Sequence, residues 1–183
     1  MSNWNIVEAI CQMADSPLAN SPALIHEDCS ISYSELVSRA SGMASWMREL
    51  GLPERSHVGH YMRNSNAYME TFTATGLVGF GHVGINYRYL DEELVDLCNS
   101  LDIRVLVYDE EFASHVAAIR PHLTETVGFI EVPQHVVDGT AATRTAPVNA
   151  FAVSITDLYE RDASDFKRTT SGDDLILMAT GGT

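Results

Sequence analysis

The residues best suited to chemistry stand together as Thr180, Gly181, Gly182 and Thr183. They follow the apolar run Leu175-Ile176-Leu177-Met178, which reads as a buried strand and is itself preceded by Asp173 and Asp174. A strand running into a small, hydroxyl-rich and glycine-rich turn brings backbone N–H groups and side-chain hydroxyls close to a phosphate. Gly181 and Gly182 carry no Cβ to hold a ligand away, and they permit positive φ. Thr180 and Thr183 supply hydroxyl donors. On local grounds alone the same string also reads as a strand followed by a tight turn.

Other reactive types are sparse. The chain of 183 residues has ten arginines and a single lysine, Lys167, which stands in the polar stretch Asp165-Phe166-Lys167-Arg168-Thr169-Thr170 and reads as a solvated loop residue. His57 and His60 invite a metal reading, but in a strand they point to opposite faces, and no third ligand stands nearby. No metal site is expected, and no side chain here is singled out as catalytic. The three cysteines, Cys11, Cys29 and Cys98, are too few and too scattered for a disulfide framework or a CxxC site, which fits a reducing, cytoplasmic setting. A formal charge of −14 argues against nucleic acid and anionic membrane as partners. No apolar run approaches the roughly 20 residues of a transmembrane helix, and the first fifteen residues lack a basic n-region.

The elements that position residues 180–183 follow from hydrophobic period. Trp4, Val7, Ile10, Cys11 and Ala14 predict a short helix, closed by Ser16-Pro17. Residues 23–33 predict a small β-hairpin with an acidic turn. Ser32 and Glu35 have capping-box spacing, and Leu36, Val37, Ala40, Met43, Ala44, Met47 and Leu50 mark one helical face before Gly51 and Pro53 end it. A parallel strand is expected over residues 57–62. A helix follows with Tyr68, Met69, Phe72, Thr73, Gly76 and Leu77 as its apolar face. A strand near residue 82, a helix opened by Asp91-Glu92-Glu93, a strand over residues 104–108, a helix over 111–120 and a strand over 126–132 come next. Residues 132–172 read as a loop-rich excursion broken by a short acidic helix at 155–161. Strands alternating with helices make right-handed crossovers and a mostly parallel sheet covered on both faces, an α/β fold. Ligands on such sheets bind beyond the carboxyl ends of the strands, and Thr180 to Thr183 follow one of those ends.

The string LILMATGGT resembles the opening of the phosphate-binding loop of the acyl-activating, adenylate-forming enzymes, which include the acyl- and aryl-CoA synthetases. Thr180, Gly181, Gly182 and Thr183 match the first four loop positions, with Gly181 replacing the usual Ser as in some bacterial fatty-acyl and steroid-acyl CoA ligases. Ser32-Tyr33-Ser34-Glu35-Leu36 and Asn86, Arg88, Tyr89, Glu93 and Leu94 match two further family segments. Arg88 and Tyr89 are expected to form a salt bridge and a packed ring that fix their loop.

The resemblance implies an enzyme that activates a carboxylic acid (fatty, steroid or aryl) with ATP and Mg2+ and transfers it to CoA. It also implies that the chain is one incomplete N-terminal subdomain, residues 1–183, of a larger AMP-binding domain. The fragment is expected to be inactive alone, and to self-associate through an open sheet edge. Two other readings compete: a stand-alone, non-catalytic α/β module that holds a nucleotide or anion, and an interaction protein using its acidic surface.

Overall fold

Val105, Leu106, Val107 and Tyr108 are apolar on both sides of the chain, and a strand of that composition has to be covered on both faces. The computed structural model describes residues 5–140, 143–170 and 176–178, and in it this segment is an inner strand of a sheet between two layers of helices. The elements are α1 (Ile6–Ala14), β1 (Pro22–His26), β2 (Cys29–Ser32), α2 (Tyr33–Glu49), β3 (His57–Tyr61), α3 (Asn66–Val78), β4 (Gly81–Gly84), α4 (Asp91–Ser100) and β5 (Ile103–Asp109). They continue with α5 (Ala113–Ile119), β6 (Gly128–Val132), α6 (Gln134–Val137), β7 (Val153–Ser154), α7 (Ile155–Tyr159) and β8 (Ile176–Met178).

β1 and β2 form the expected antiparallel hairpin. The remaining six strands form one sheet in the order β7-β6-β5-β3-β4-β8, and every pairing in it is parallel. Strand alternation divides the side chains between two cores. Val58, Val105, Val107, Ile130 and Val132 meet α1, α2, α3, α6 and α7 on one face. Tyr61, Val83, Leu106, Tyr108 and Phe129 meet α4 and α5 on the other.

Local chemistry sets the helix ends. Ser32 Oγ accepts from Glu35 N at 3.2 Å, one half of the capping box. The Glu35 carboxylate turns away to Arg39, at 2.5 Å, so the reciprocal half does not form. α4 opens on Asp91, Glu92 and Glu93, whose charges suit the positive end of the helix dipole.

Three features depart from the period-based expectations. α3 is buried on nearly every side, with Glu70, Thr71, Thr73 and Thr75 as enclosed as Leu77. The threonines satisfy their hydroxyls by donating to the carbonyls of Ala67, Met69 and Thr71 four residues back, at 2.9, 2.7 and 2.8 Å. The stretch after β6 holds α6, whose Val136 and Val137 are buried, and the edge strand β7. Its loop is tied down by the Glu131 carboxylate, which accepts from the Tyr108 hydroxyl at 2.9 Å and from the backbone N–H groups of Val148 and Asn149, at 2.5 and 3.2 Å.

α2 and α7 touch backbone to side. A Cβ built on Gly42 would lie 2.1 Å from the Leu158 carbonyl oxygen. In an open helix Gly→Ala gains stability, by about 1 kcal/mol. Here Gly42→Ala is expected to lose roughly 2–3 kcal/mol, because main chain has to move to admit the methyl. Urea unfolding of the purified chain reads the difference; an unchanged midpoint would mean that α7 separates from α2 without cost.

Candidate functional site

β8 lies beside β4, with Ile176, Leu177 and Met178 paired in parallel to His82, Val83 and Gly84. Its carboxyl end therefore faces the same edge as those of β3, β4 and β5, where ligands of parallel sheets bind. Thr180, Gly181, Gly182 and Thr183 lie outside the described residues, as does Leu175. The described part of this edge is built by residues that follow β3, β4 and β5.

After β4, Asn86 Oδ1 accepts from Arg88 N at 3.1 Å, and Tyr89 N donates to the Asn86 carbonyl at 3.0 Å. The Tyr61 hydroxyl donates to the Tyr89 carbonyl at 2.8 Å, which pins this turn to the end of β3. Tyr89 packs against the core as expected. Arg88 does not form the expected salt bridge among the described residues; it is exposed, with its guanidinium 5.6 Å from the centre of the Tyr87 ring. Arg63 stacks closer to the same ring, at 4.5 Å, and its guanidinium pairs with Glu111.

Asp109 closes β5 beneath this layer. Its carboxyl is fully buried; Oδ2 accepts from Arg63 N at 2.7 Å, and Oδ1 has no partner among the described residues. Burial pushes this acid up to about 7, against the opposing pull of the Arg63 N–H. Sequence reasoning passed over Arg63 and Asp109. An acid ending an otherwise apolar strand was the available signal for Asp109.

The two histidines singled out by sequence separate as the strand period requires. His57 Nδ1–H donates to the Leu101 carbonyl at 2.6 Å. His60 turns to the other face, donates from Nδ1 to the Val58 carbonyl at 3.1 Å and stacks on His82, ring centres 4.1 Å apart. His82 shares a 3.0 Å hydrogen bond with the Tyr68 hydroxyl. Burial drives His60 well below the usual imidazole range and His82 down to about 4, so both rings are neutral at physiological pH. Among the described residues no group of three or more His, Cys, Asp and Glu assembles to hold a metal ion. Lys167 is exposed in its loop, and Cys11, Cys29 and Cys98 are free thiols. No helix of the described residues is long and apolar enough to cross a membrane. The described residues thus shape and fix the edge, and they do not pair a nucleophile with a base.

Comparison with known proteins places this geometry. The profile described as AMP-binding enzyme matches residues 12–183. A 3-oxocholest-4-en-26-oate–CoA ligase from Rhodococcus rhodochrous is 29% identical over 165 residues, which cover 88% of this chain and 28% of that protein. A medium/long-chain-fatty-acid–CoA/3-oxocholest-4-en-26-oate–CoA ligase from Mycobacterium marinum is 29% identical over 161 residues, 88% of this chain and 29% of that protein. The chain therefore spans less than a third of the length of these relatives. Among solved structures, acetoacetyl-CoA synthetase from Streptomyces lividans superposes with a TM-score of 0.80 at 20% identity, covering 97% of this chain and 28% of that one, which establishes the shared fold. Self-association through the outer strand gains no support from these findings.

Asp109 and His82 pull stability in opposite directions with pH. Below about pH 3.8 Asp109 is neutral whether folded or not; between 3.8 and 7 only the unfolded chain has ionised, so its favourable contribution is lost as pH rises through that window. His82 is neutral in both states above about pH 6.5; between 6.5 and 4 only the unfolded chain takes the proton, so its contribution is lost as pH falls. Asp109→Asn removes the first effect alone. It is expected to match the parent near pH 4 and to exceed it by roughly 2 kcal/mol or more near pH 7.5, since each tenfold change in proton affinity is worth about 1.4 kcal/mol. Urea titrations at the two pH values check this; an equal difference at both would remove Asp109 as the titrating group.

Proposed function

The chain belongs to the AMP-binding enzyme family, and on that footing we propose that it is the amino-terminal part of an ATP-dependent acyl-CoA ligase. The acid's carboxylate attacks the α-phosphorus of ATP and pyrophosphate leaves. The CoA thiol then displaces AMP from the acyl carbon to give the thioester. The observation that carries the reading is the parallel pairing of β8 with β4, which aims the strand before Thr180 at the carboxyl edge of the sheet. In this reading the Thr180 and Thr183 hydroxyls and the N–H groups of Gly181 and Gly182 hold phosphate oxygens and stabilise the charge that develops on them. Mg2+ would share that charge when bound to the nucleotide. Because the described residues offer it no ligand set, they are given no part in holding it.

The names of the relatives favour a medium- or long-chain fatty acid or a steroid acid as substrate, and Gly181 at the second loop position agrees. In this reading the reaction needs more than these 183 residues, since the 165 and 161 residues aligned cover 28% and 29% of two relatives known as ligases. We assign the protein to the cytoplasm, in keeping with its three free thiols.

ATP–pyrophosphate exchange tests the proposal. The product of the reading frame extended past codon 183, supplied with dodecanoate, is expected to exchange label. Thr180→Val or Thr183→Val is expected to lower the rate about 100-fold, the scale for losing one oxyanion donor. The 183-residue chain alone is expected to stay at background. Exchange by the short chain, or none by the extended product with fatty, aryl and steroid acids, overturns the reading.

A further inference from the structure

Most arginines of this acidic chain answer a carboxylate. Arg39, Arg63, Arg104, Arg144, Arg161 and Arg168 each form an ion pair. Arg48 meets no carboxylate among the described residues. Its guanidinium lies over the Phe166 ring, 4.3 Å from the centre, and Nη2 donates to the Thr169 hydroxyl at 2.8 Å. The group is thereby held in one place with donors to spare. The Thr169 oxygen accepts that bond, so its own proton remains available to a further acceptor.

Beside Arg48 a cavity of about 360 Å3 opens at the amino edge of the sheet. Arg48 comes from the last turn of α2, Arg55 from the turn before β3, Val78 and Phe80 from the corner between α3 and β4, and Thr169 from the segment that continues towards β8. That volume is at the lower end of small-molecule sites. A strand length of roughly 13 Å separates the cavity from the carboxyl edge.

The walls are fixed by main chain. Thr169 N donates to the Leu77 carbonyl at 2.8 Å, and a Cβ on Gly79 would lie 2.5 Å from the Thr169 carbonyl oxygen, so this segment rests directly on the end of α3. Phe80 N and Gly79 N donate to the carbonyls of Thr75 and Gly76 at 3.0 and 3.2 Å. These terminal carbonyls are therefore satisfied and do not compete for Arg48. The turn that carries Arg55 is closed by Ser56, whose N–H and hydroxyl both donate to the Pro53 carbonyl, at 3.3 and 2.7 Å.

A positioned guanidinium beside a hydroxyl proton suits an oxyanion. Glu54 also lines the cavity and opposes a second negative charge. Val78 and Phe80, both buried, offer hydrocarbon to the body of a ligand. Arg48 and Thr169 are exposed, so water screens the contact and the affinity is expected in the millimolar range.

We propose that this cavity binds a small organic oxyanion of single charge, with Arg48 and the Thr169 hydroxyl on its oxygens and Val78 and Phe80 against its carbon body. Because Thr169 belongs to the segment that continues into β8, the bound anion also fastens that segment to α2. The site lies away from the carboxyl edge and uses no part of the acyl-activating reading, so either can fail without the other.

Benzoate titration of the 15N-labelled 183-residue chain tests it. The amide signals of Gly79, Phe80 and Thr169 are expected to shift together and saturate, while those of Ile130 and Glu131 in β6 stay still. A chain of net charge −14 offers anions little general attraction, so a saturable signal has to come from a local site. Benzamide, of the same shape without the charge, is expected to bind at least ~10-fold more weakly, and so is benzoate to Arg48→Gln, the scale of losing a charged hydrogen bond. Arg88→Gln, which removes an exposed arginine elsewhere, is expected to bind as the parent does. Glu54→Gln is expected to tighten benzoate about three-fold, a gain that loss of structure cannot produce. Hydrogen exchange at the Thr169 N–H is expected to slow as the site fills.

Benzamide that binds as tightly as benzoate overturns the site, and so does parent-like binding by both Arg48→Gln and Glu54→Gln. An equal loss in Arg48→Gln and Arg88→Gln also overturns it, since net charge then explains the effect. Inorganic phosphate at pH 8, mostly doubly charged, is expected to bind more weakly than benzoate; tighter binding overturns the single charge. Unchanged exchange at Thr169 overturns the fastening. The same titration on the product of the extended reading frame is expected to give the same shifts, and their loss there means that the following chain fills the cavity, which overturns the proposal.

Discussion

The fold depends on a carboxylate that water does not reach. Glu70 sits midway along α3 with no exposed surface, accepting from Arg39 at 2.9 Å and from the Tyr159 hydroxyl. Burial raises its pKa, and Tyr159 and Arg39 oppose that rise. The three residues come from α3, α2 and α7, and the Arg39 guanidinium also stacks over the Tyr159 ring at 4.7 Å. A buried pair of this kind adds little net stability over a hydrophobic replacement, but removing one partner costs about 3–5 kcal/mol. Its effect is to fix relative position: α2 and α7 are held at one rotation against α3, and α3 in turn is the helix on which β4 and His82 rest. Strand β8, paired among the described residues to β4, takes its place from that chain of contacts.

Where the sequence was readable, one physical signal dominated. α2 shows a single apolar stripe with a cap at one end and a glycine just beyond the other, and its observed span agrees. β5 is apolar on both sides, which requires an inner strand and implies helices on both faces. α3 was read correctly as a helix but with the wrong environment. Its periodic face is real, yet the opposite face is buried too, because threonines can turn their hydroxyls back onto the helix and Glu70 finds partners 31 and 89 residues away. No local pattern encodes a partner at that distance. β7 is two residues long and pairs only at Ile130 and Glu131, which is too short for alternation to register.

The candidate site divides along the same line. Its loop residues were legible because glycines and hydroxyls after an apolar run are a local signal. The groups that shape the surrounding edge were not. Arg63 is one of ten arginines, and nothing near it in sequence shows that its guanidinium meets Tyr87 while its N–H meets Asp109. His82 looked like an ordinary strand residue, and its neutrality follows from His60, Tyr68 and Phe72 closing around it. The salt bridge expected of Arg88 failed for a related reason: the acids that follow it in sequence open α4, and the guanidinium lies over Tyr87 instead.

Strand order has a consequence for how the protein emerges from the ribosome. Of the described strands of the sheet, β3 is synthesised first. β4 then adds on one side of it and β5 on the other, β6 and β7 extend the β5 side, and β8 joins β4. Each new strand meets a free edge, and none has to insert between two strands already paired. Vectorial synthesis at about 5–20 residues per second leaves time for each addition before the next strand appears. The sheet can grow outward from β3 as translation proceeds, with few wrongly ordered pairings to undo. The strand that leads to Thr180 is then laid down on a template of five strands that precede it among the described residues.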